Sequence, residues 1–223
     1  EGFIGTSLRK DEYITDCSDI DDIIVFRKDG KMIVSKVASK TFVGKDIIHI
    51  AIFKKKDTRT VYNMMYRDGK SGASYMKRFA VTGVTRDKEY DLTTGKSNSL
   101  VHYFTANPNG EAEAVTVLLR SVGSIKKLKW DIDFSDLAVK GRGVRGNTIT
   151  KFAIRKVEFK SRGVSTLKPR KIWFDDAVQR LNVDARGELL GEFRAEDKIL
   201  IANQSGKIKA VTPDLQMHFE DDM

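Results

Sequence analysis

Three stretches decide how this chain folds: DDIIVFRKDGKMIVSKV (residues 21–37), RTVYNMMYRDGKSGASYMKRF (59–79) and EDKILIANQSGKIKAVTP (196–213). Each is a run of β-branched and aromatic residues, a polar turn carrying a glycine, and a second run. The turns Lys28-Asp29-Gly30-Lys31 and Arg67-Asp68-Gly69-Lys70 are joined by Asn107-Pro108-Asn109-Gly110 and Gln204-Ser205-Gly206-Lys207. Glycine after Asp or Asn supplies the positive φ that a tight hairpin needs. Outward from these turns, short apolar runs read as strands at Ile23–Phe26, Met32–Val37, Ile47–Phe53, Val61–Tyr66, Leu100–Thr105, Ala114–Leu119, Thr148–Ile154, Lys198–Ala202 and Lys207–Val211. Helical spacing is not sustained over any long window. The expectation is an antiparallel, all-β protein.

The turns also recur. Gly30 to Gly69 is 39 positions, Gly69 to Gly110 is 41, and Gly110 to Gly206 is 96, about two periods, with a weaker Ser161-Arg162-Gly163 turn between. A period near 40 carrying about four strands is that of a propeller-like blade array. Four to five such units fit the length. Trp130-Asp131 is the only Trp-Asp pair, so the WD40 signature is missing and an ordinary propeller ranks second.

Of 223 residues, 40% are hydrophobic and 32% charged, enough for a packed core and against a disordered chain. No apolar run reaches membrane-spanning length. The first residues lack the long apolar stretch of a secretory signal. One cysteine, Cys17, leaves no internal disulfide and fits a reducing, cytoplasmic compartment. The chain starts mid-pattern at Gly2-Phe3-Ile4 and stops just after a strand, so it reads as one domain, residues 1–223, from a longer polypeptide. Net charge is +9, yet residues 120–175 alone carry 15 basic and 5 acidic side chains. That concentration points to a polyanionic partner, foremost nucleic acid.

Gly141-Arg142-Gly143-Val144-Arg145-Gly146 spells G-x-G-x-x-G. A dinucleotide fingerprint would lie between a strand and a helix, but Asn147-Thr148-Ile149-Thr150 follows and is strand-like. The other kinase signatures and the Walker pattern are missing too. Three glycines would instead let the backbone press close to a ligand, with arginine forks aimed at phosphate oxygens. The bland alternative is a glycine-rich connection whose arginines face water.

The segment Asp136-Leu-Ala-Val-Lys140-Gly-Arg-Gly-Val-Arg145-Gly resembles the repeated G-R-x-x-x-G-V-(R/K)-G blade element of the C-terminal domain of bacterial DNA gyrase and topoisomerase IV A subunits. Gly2-Phe3-Ile4-Gly5-Thr6-Ser7-Leu8 is similar to the strand that opens that domain, and the units at 22–37, 60–79, 99–118 and 197–212 look like its successive blades. Residues 163–176 look like the version found in the Bacteroides-like lineage. The resemblance implies a β-pinwheel, whose blades exchange strands and whose basic rim wraps DNA. It further implies a non-catalytic part of an ATP-dependent type IIA topoisomerase, nucleoid-associated in the cytoplasm. ATP, magnesium, the cleaving tyrosine and the ATPase B subunit would then belong to the holoenzyme, with no cofactor or metal in this domain. Gyrase A subunits carry a Gln-Arg-Arg-Gly-Gly-Lys-Gly box near the first blade. Here RKDEYITDCSDIDD (9–22) stands instead, which favours topoisomerase IV and leaves gyrase as the alternative.

Wrapping without sequence readout needs distributed cations. The DNA-contact candidates are Lys140, Arg142, Arg145, Lys151, Lys156, Lys160, Arg162, Lys168, Arg170 and Lys171, joined by Lys45 and the pair Lys77-Arg78. Gly141, Gly143 and Gly146 are candidates for close backbone approach. About half of these cations are expected to be ordinary solvated side chains. His49, His102 and His218 lack metal-ligand spacing. Asp19–Asp22 and Glu220–Asp222 read as solvated loop acids, the latter a loop or tail. Tyr62, Tyr66, Tyr75 and Trp173 could stack on bases but are expected to fill the space between sheets. The rival from another class is a propeller-type protein-interaction module whose basic region meets an acidic protein.

Overall fold

A computed structural model describes every residue except Glu1, Lys10, Val122, Ser124, Ala195, Gln216 and 220–223. The acidic end read as a tail therefore lies outside the described residues. The chain divides into two compact units, Glu1–Gly163 and Val164–Met223.

The first unit opens with β1 (Phe3–Ile4), β2 (Asp22–Arg27), β3 (Lys31–Lys36), β4 (Thr41–Phe42) and β5 (Ile47–Phe53). It continues with β6 (Val61–Arg67), β7 (Ser74–Ala80), β8 (Tyr90–Asp91), β9 (Leu100–Asn107) and β10 (Ala114–Leu119). β11 (Lys129–Asp133), a 3-10 turn at Phe134–Asp136, β12 (Val139–Gly141), β13 (Asn147–Thr150) and β14 (Ile154–Ser161) complete it. Among the described residues there is no α-helix, and so no helix long and apolar enough to cross a membrane. Three of the expected turns close hairpins, at Gly30 (β2 to β3), Gly69 (β6 to β7) and Gly206 in the second unit, with φ of 82°, 73° and 79°, a region costly for residues with a Cβ. Gly110 (φ 65°) also takes that conformation, but its turn carries the chain from β9 to β10 in another sheet and closes no hairpin.

The strands of the first unit build a sheet ordered β5-β2-β3-β8, a five-stranded sheet β12-β7-β6-β9 with β13 also on β7, a sheet β11-β10-β14, and the short pair β1-β4. The runs are continuous rather than alternating because two of these sheets are covered on both faces. One face of β2 sends Ile24 and Phe26 into a core with Tyr62, Met64, Tyr66 and Phe79, while the other sends Ile23 and Val25 against Ile4 and Val43. Likewise Met65 and Met76, on the far side of the second sheet, pack with Val115, Val117, Leu119 and Phe134 of the third. Phe26 anchors the first interface, its ring 4.6 Å from Tyr62 and 4.7 Å from Phe104.

Sheet completion is displaced along the chain. β8 follows the second hairpin yet pairs with β3 of the first, Met32 opposite Tyr90. β12 and β13 follow the third sheet's β11 yet both return to β7, β12 in parallel (Arg78 opposite Val139) and β13 antiparallel (Asn147 opposite Met76). This exchange is the pairing expected of a β-pinwheel. It also corrects one strand: Thr148–Ile154 is not continuous. Chain direction changes at Lys151-Phe152-Ala153, because β13 belongs to the second sheet and β14 to the third. Nor are the sheets uniformly four-stranded.

The second unit contains β15 (Arg170–Asp175), β16 (Arg180–Asn182), β17 (Glu188–Phe193), β18 (Ile199–Ala202) and β19 (Ile208–Val211). They form a three-stranded sheet β16-β15-β17 and a hairpin β18-β19. Ile172, Leu181 and Phe219 are its buried centre, with Phe174 edge-on to Phe219 at 5.6 Å.

Candidate nucleic-acid interface

The glycine-rich segment joins β12 to β13 along the β7 edge of the second sheet. Its three glycines have different surroundings. Gly146 has φ +94°, and a Cβ there would stand 2.3 Å from the Met76 carbonyl oxygen, so this glycine serves packing against β7. A Cβ on Gly141 or Gly143 would meet nothing within 4 Å. Their bare outer side therefore leaves room for something outside the domain.

Side chains of the second sheet hold the loop from within. Lys77 is 4% exposed, and its Nζ donates to the carbonyl oxygens of Leu92 (2.5 Å), Arg142 (2.7 Å) and Val144 (3.0 Å). Its ammonium also lies 4.9 Å from the Phe79 ring centroid. Burial lowers the Lys77 pKa to about 8, with Asp91 opposing. The Tyr66 hydroxyl donates to the Arg145 carbonyl oxygen at 2.8 Å. The two loop arginines rest on aromatic faces: Arg142 lies 4.4 Å from the Tyr90 centroid and donates to the Gly83 carbonyl oxygen at 2.7 Å, and Arg145 lies 5.1 Å from Tyr75. Stacking leaves the rest of each guanidinium fork available to an anion.

Lys77 and Arg78, read as surface cations, are interior and have no face to offer a phosphate. Arg78 is 2% exposed. Its Nε donates to Asn63 Oδ1 at 2.9 Å and its terminal nitrogens to the carbonyl oxygens of Gly110 and Leu137. Asn63 in turn donates to Glu113 Oε2 at 2.8 Å, and Thr105 donates to the other carboxylate oxygen. This network ties the second sheet to the turn before the third, satisfying charges that would otherwise be costly to bury. Burial depresses the Arg78 pKa, against the pull of Glu113 and Asp133.

The family model described as "Topoisomerase C-terminal domain, Bacteroidota" matches residues 1–161 and 180–223. The chain belongs to this family. The DNA topoisomerase 4 A-chain protein of Borreliella burgdorferi is 27% identical over 161 residues, covering 72% of this chain and 24% of that protein. The chain thus spans about a quarter of the length of that relative. Among solved structures, the crystal structure of the C-terminal domain of DNA topoisomerase IV is 12% identical, covers 91% of this chain and 72% of that one, and has a TM-score of 0.42. The DNA gyrase A C-terminal domain is 14% identical, with coverage of 95% and 82% and a TM-score of 0.31.

The remaining candidate cations of this topoisomerase C-terminal domain fall into distinct settings. Lys45, Lys140, Lys151 and Arg162 are exposed in the first unit, Lys140 in the middle of β12 and the other three between strands. Lys156 and Lys160 point from β14 to the solvent face of the third sheet, where acids already hold them: Lys156 to Glu158 at 3.0 Å and Lys160 to Asp131 at 2.5 Å. Hydrogen bonds from those lysines draw both carboxyls below their ordinary pKa, Thr116 assisting at Asp131. A phosphate there would compete with a built-in carboxylate. Lys168, Arg170 and Lys171 lie in the second unit, Lys171 opposite Glu192 across the strand pair.

Strand register adds residues not singled out above. Lys129 and Lys156 flank Leu118 from opposite sides of β10, a row that period-two alternation along β11 and β14 could have exposed. Lys88 lies 5.5 Å from the Tyr90 centroid, which Arg142 also approaches. Tyr62 and Tyr66 are buried, and Tyr75 and Trp173 are half-buried, so none stands out as a bare stacking platform.

Proposed function

We propose that this domain binds duplex DNA without reading its sequence and bends it, as the non-catalytic C-terminal module of a topoisomerase IV-type A subunit. One observation carries the reading: a glycine-rich loop at a sheet edge, bare on its outer side, presents two arginines already braced on aromatic rings, within the most basic stretch of the chain. Family membership and the topoisomerase 4 relative support it, and the missing gyrase box favours topoisomerase IV over gyrase. Bending tens of base pairs costs on the order of 1–6 kcal/mol, so many modest phosphate contacts must act together. In the intact enzyme the bent segment would be presented to a cleavage core elsewhere in the same polypeptide, working with an ATPase B subunit.

Titrating duplexes of increasing length at several salt concentrations tests this. Affinity should rise with length and fall with salt, at a slope near −0.9 per phosphate neutralised. A flat salt response rejects it. Capture of an acidic protein that DNA fails to displace would favour the interaction-module alternative.

A further inference from the structure

Three carbonyl oxygens of the glycine-rich loop are taken up from inside, those of Arg142 and Val144 by Lys77 and that of Arg145 by Tyr66. No peptide bond here is cis. In a planar trans peptide the N–H points opposite to the C=O it shares a plane with. The amides paired with these three carbonyls are those of Gly143, Arg145 and Gly146, and they must point away from Lys77 and Tyr66. Gly143 and Arg145 are exposed, and nothing stands within 4 Å of where a Gly143 side chain would begin. Outward amides on a short, glycine-bearing turn form a concavity suited to an anion. The Arg145 guanidinium, stacked on Tyr75, adds a charged fork from the same loop.

We propose that this loop is a preformed seat for one phosphodiester group, made by the Gly143 and Arg145 amides with the Arg145 side chain, and that Lys77 and Tyr66 are its positioning residues. The proposal rests on the DNA-binding reading above. Lys77 never meets the phosphate; it acts by keeping the loop carbonyls inward. Its third bond, to Leu92, gives the loop a fixed reference, because the Leu92 amide donates to the Gly30 carbonyl oxygen at 2.8 Å in the first hairpin turn. A lysine commonly serves a phosphate directly; here it serves through the backbone it orders.

The experiment compares duplex binding by the unaltered chain, Lys77→Met, Tyr66→Phe, the pair Arg142→Ala with Arg145→Ala, and Lys77→Met added to that pair, each with a thermal melt. Lys77→Met should weaken binding about five- to tenfold and reduce the salt slope by about one. Tyr66→Phe, which removes a single hydroxyl, should move both in the same direction by less. On the loop-arginine background Lys77→Met should add less than about twofold, since acting through one loop is non-additive. Normal affinity and slope in a folded Lys77→Met, or full additivity with the arginine pair, overturns the proposal. Should Lys77→Met fail to fold, Tyr66→Phe decides: an unchanged slope overturns the seat and a reduced one upholds it. If the unaltered chain shows no salt-dependent binding, the DNA reading itself falls, a result distinct from failure of the seat alone.

Discussion

The Arg78 guanidinium donates through Nε to the side-chain oxygen of Asn63 at 2.9 Å, and both residues are fully enclosed between sheets. Truncating one partner of such a network strands the others. Arg78→Ala leaves Glu113 without its nearby cation and should cost about 3–5 kcal/mol, read as a lower urea midpoint. The variant that folds should keep the salt slope of DNA binding. A slope reduced by one unit with stability intact would return Arg78 to the phosphate contacts.

Two glycines of one loop should answer differently to the same substitution. Gly143→Val meets open space, so stability should stay within about 0.5 kcal/mol, while the added bulk on the outer side weakens DNA binding. Gly146→Val must adopt a left-handed backbone against the Met76 carbonyl and should lose about 1–3 kcal/mol. Paired melting and binding curves check this. Equal destabilisation by both would contradict the geometry.

Acid should loosen the fold before the carboxylates titrate. His102 is half-buried with an enclosed Nε2 that has no hydrogen-bond partner. Burial first, then Arg67, Lys28 and Arg120, lower its pKa to about 4. Burial lowers that of His49 as well. In the unfolded chain imidazole titrates near 6.5, so below about pH 6.5 the unfolded state takes up protons that the folded state refuses. Stability is therefore fully present above that pH and declines as pH falls toward 4, by at most about 1.4 kcal/mol per pH unit for each histidine. Urea midpoints from pH 7 to 4.5 measure it, and His102→Phe should flatten the decline. A midpoint constant across this window would refute the assignment.

Removing an acid should strengthen DNA binding. Asp131→Asn keeps an oxygen for the Thr116 hydroxyl, which donates to Oδ1 at 2.6 Å, but releases Lys160 from its ion pair. Affinity should rise a few-fold and the salt slope steepen by about one. An unchanged titration would mean that this solvent face of the third sheet lies off the DNA path.

The tight turns were legible because they are chemical: an Asp-Gly or Asn-Gly pair admits the backbone that Gly30, Gly69 and Gly110 adopt, although the same chemistry does not tell a hairpin, as at Gly30 and Gly69, from a passage between sheets, as at Gly110. The return of β12 and β13 to β7 was not legible, since nothing local marks Val139–Thr150 as partners of a strand about sixty to seventy-five positions earlier. Lys77 and Arg78 misled for a related reason. In a sheet covered on both faces no outward face remains, so a charged pair inside a strand is interior despite its charge. The run Val61–Tyr66, apolar on both sides of the pleat except at Asn63, held that information. The loop arginines were legible by type and their aromatic braces were not, because Tyr75 and Tyr90 come from other segments.

Because each early sheet borrows its last strands from later sequence, a chain emerging from the ribosome can fold its first hairpins but must leave β3 and β7 with raw edges until the lending segments arrive. Such edges invite pairing with other chains, and waiting for distant partners slows folding. A truncation placed before Val139 would thus injure the sheet preceding the cut as well as the one it severs, leaving β7 open to aggregation. Expression boundaries for this domain belong after a borrowed strand has been delivered.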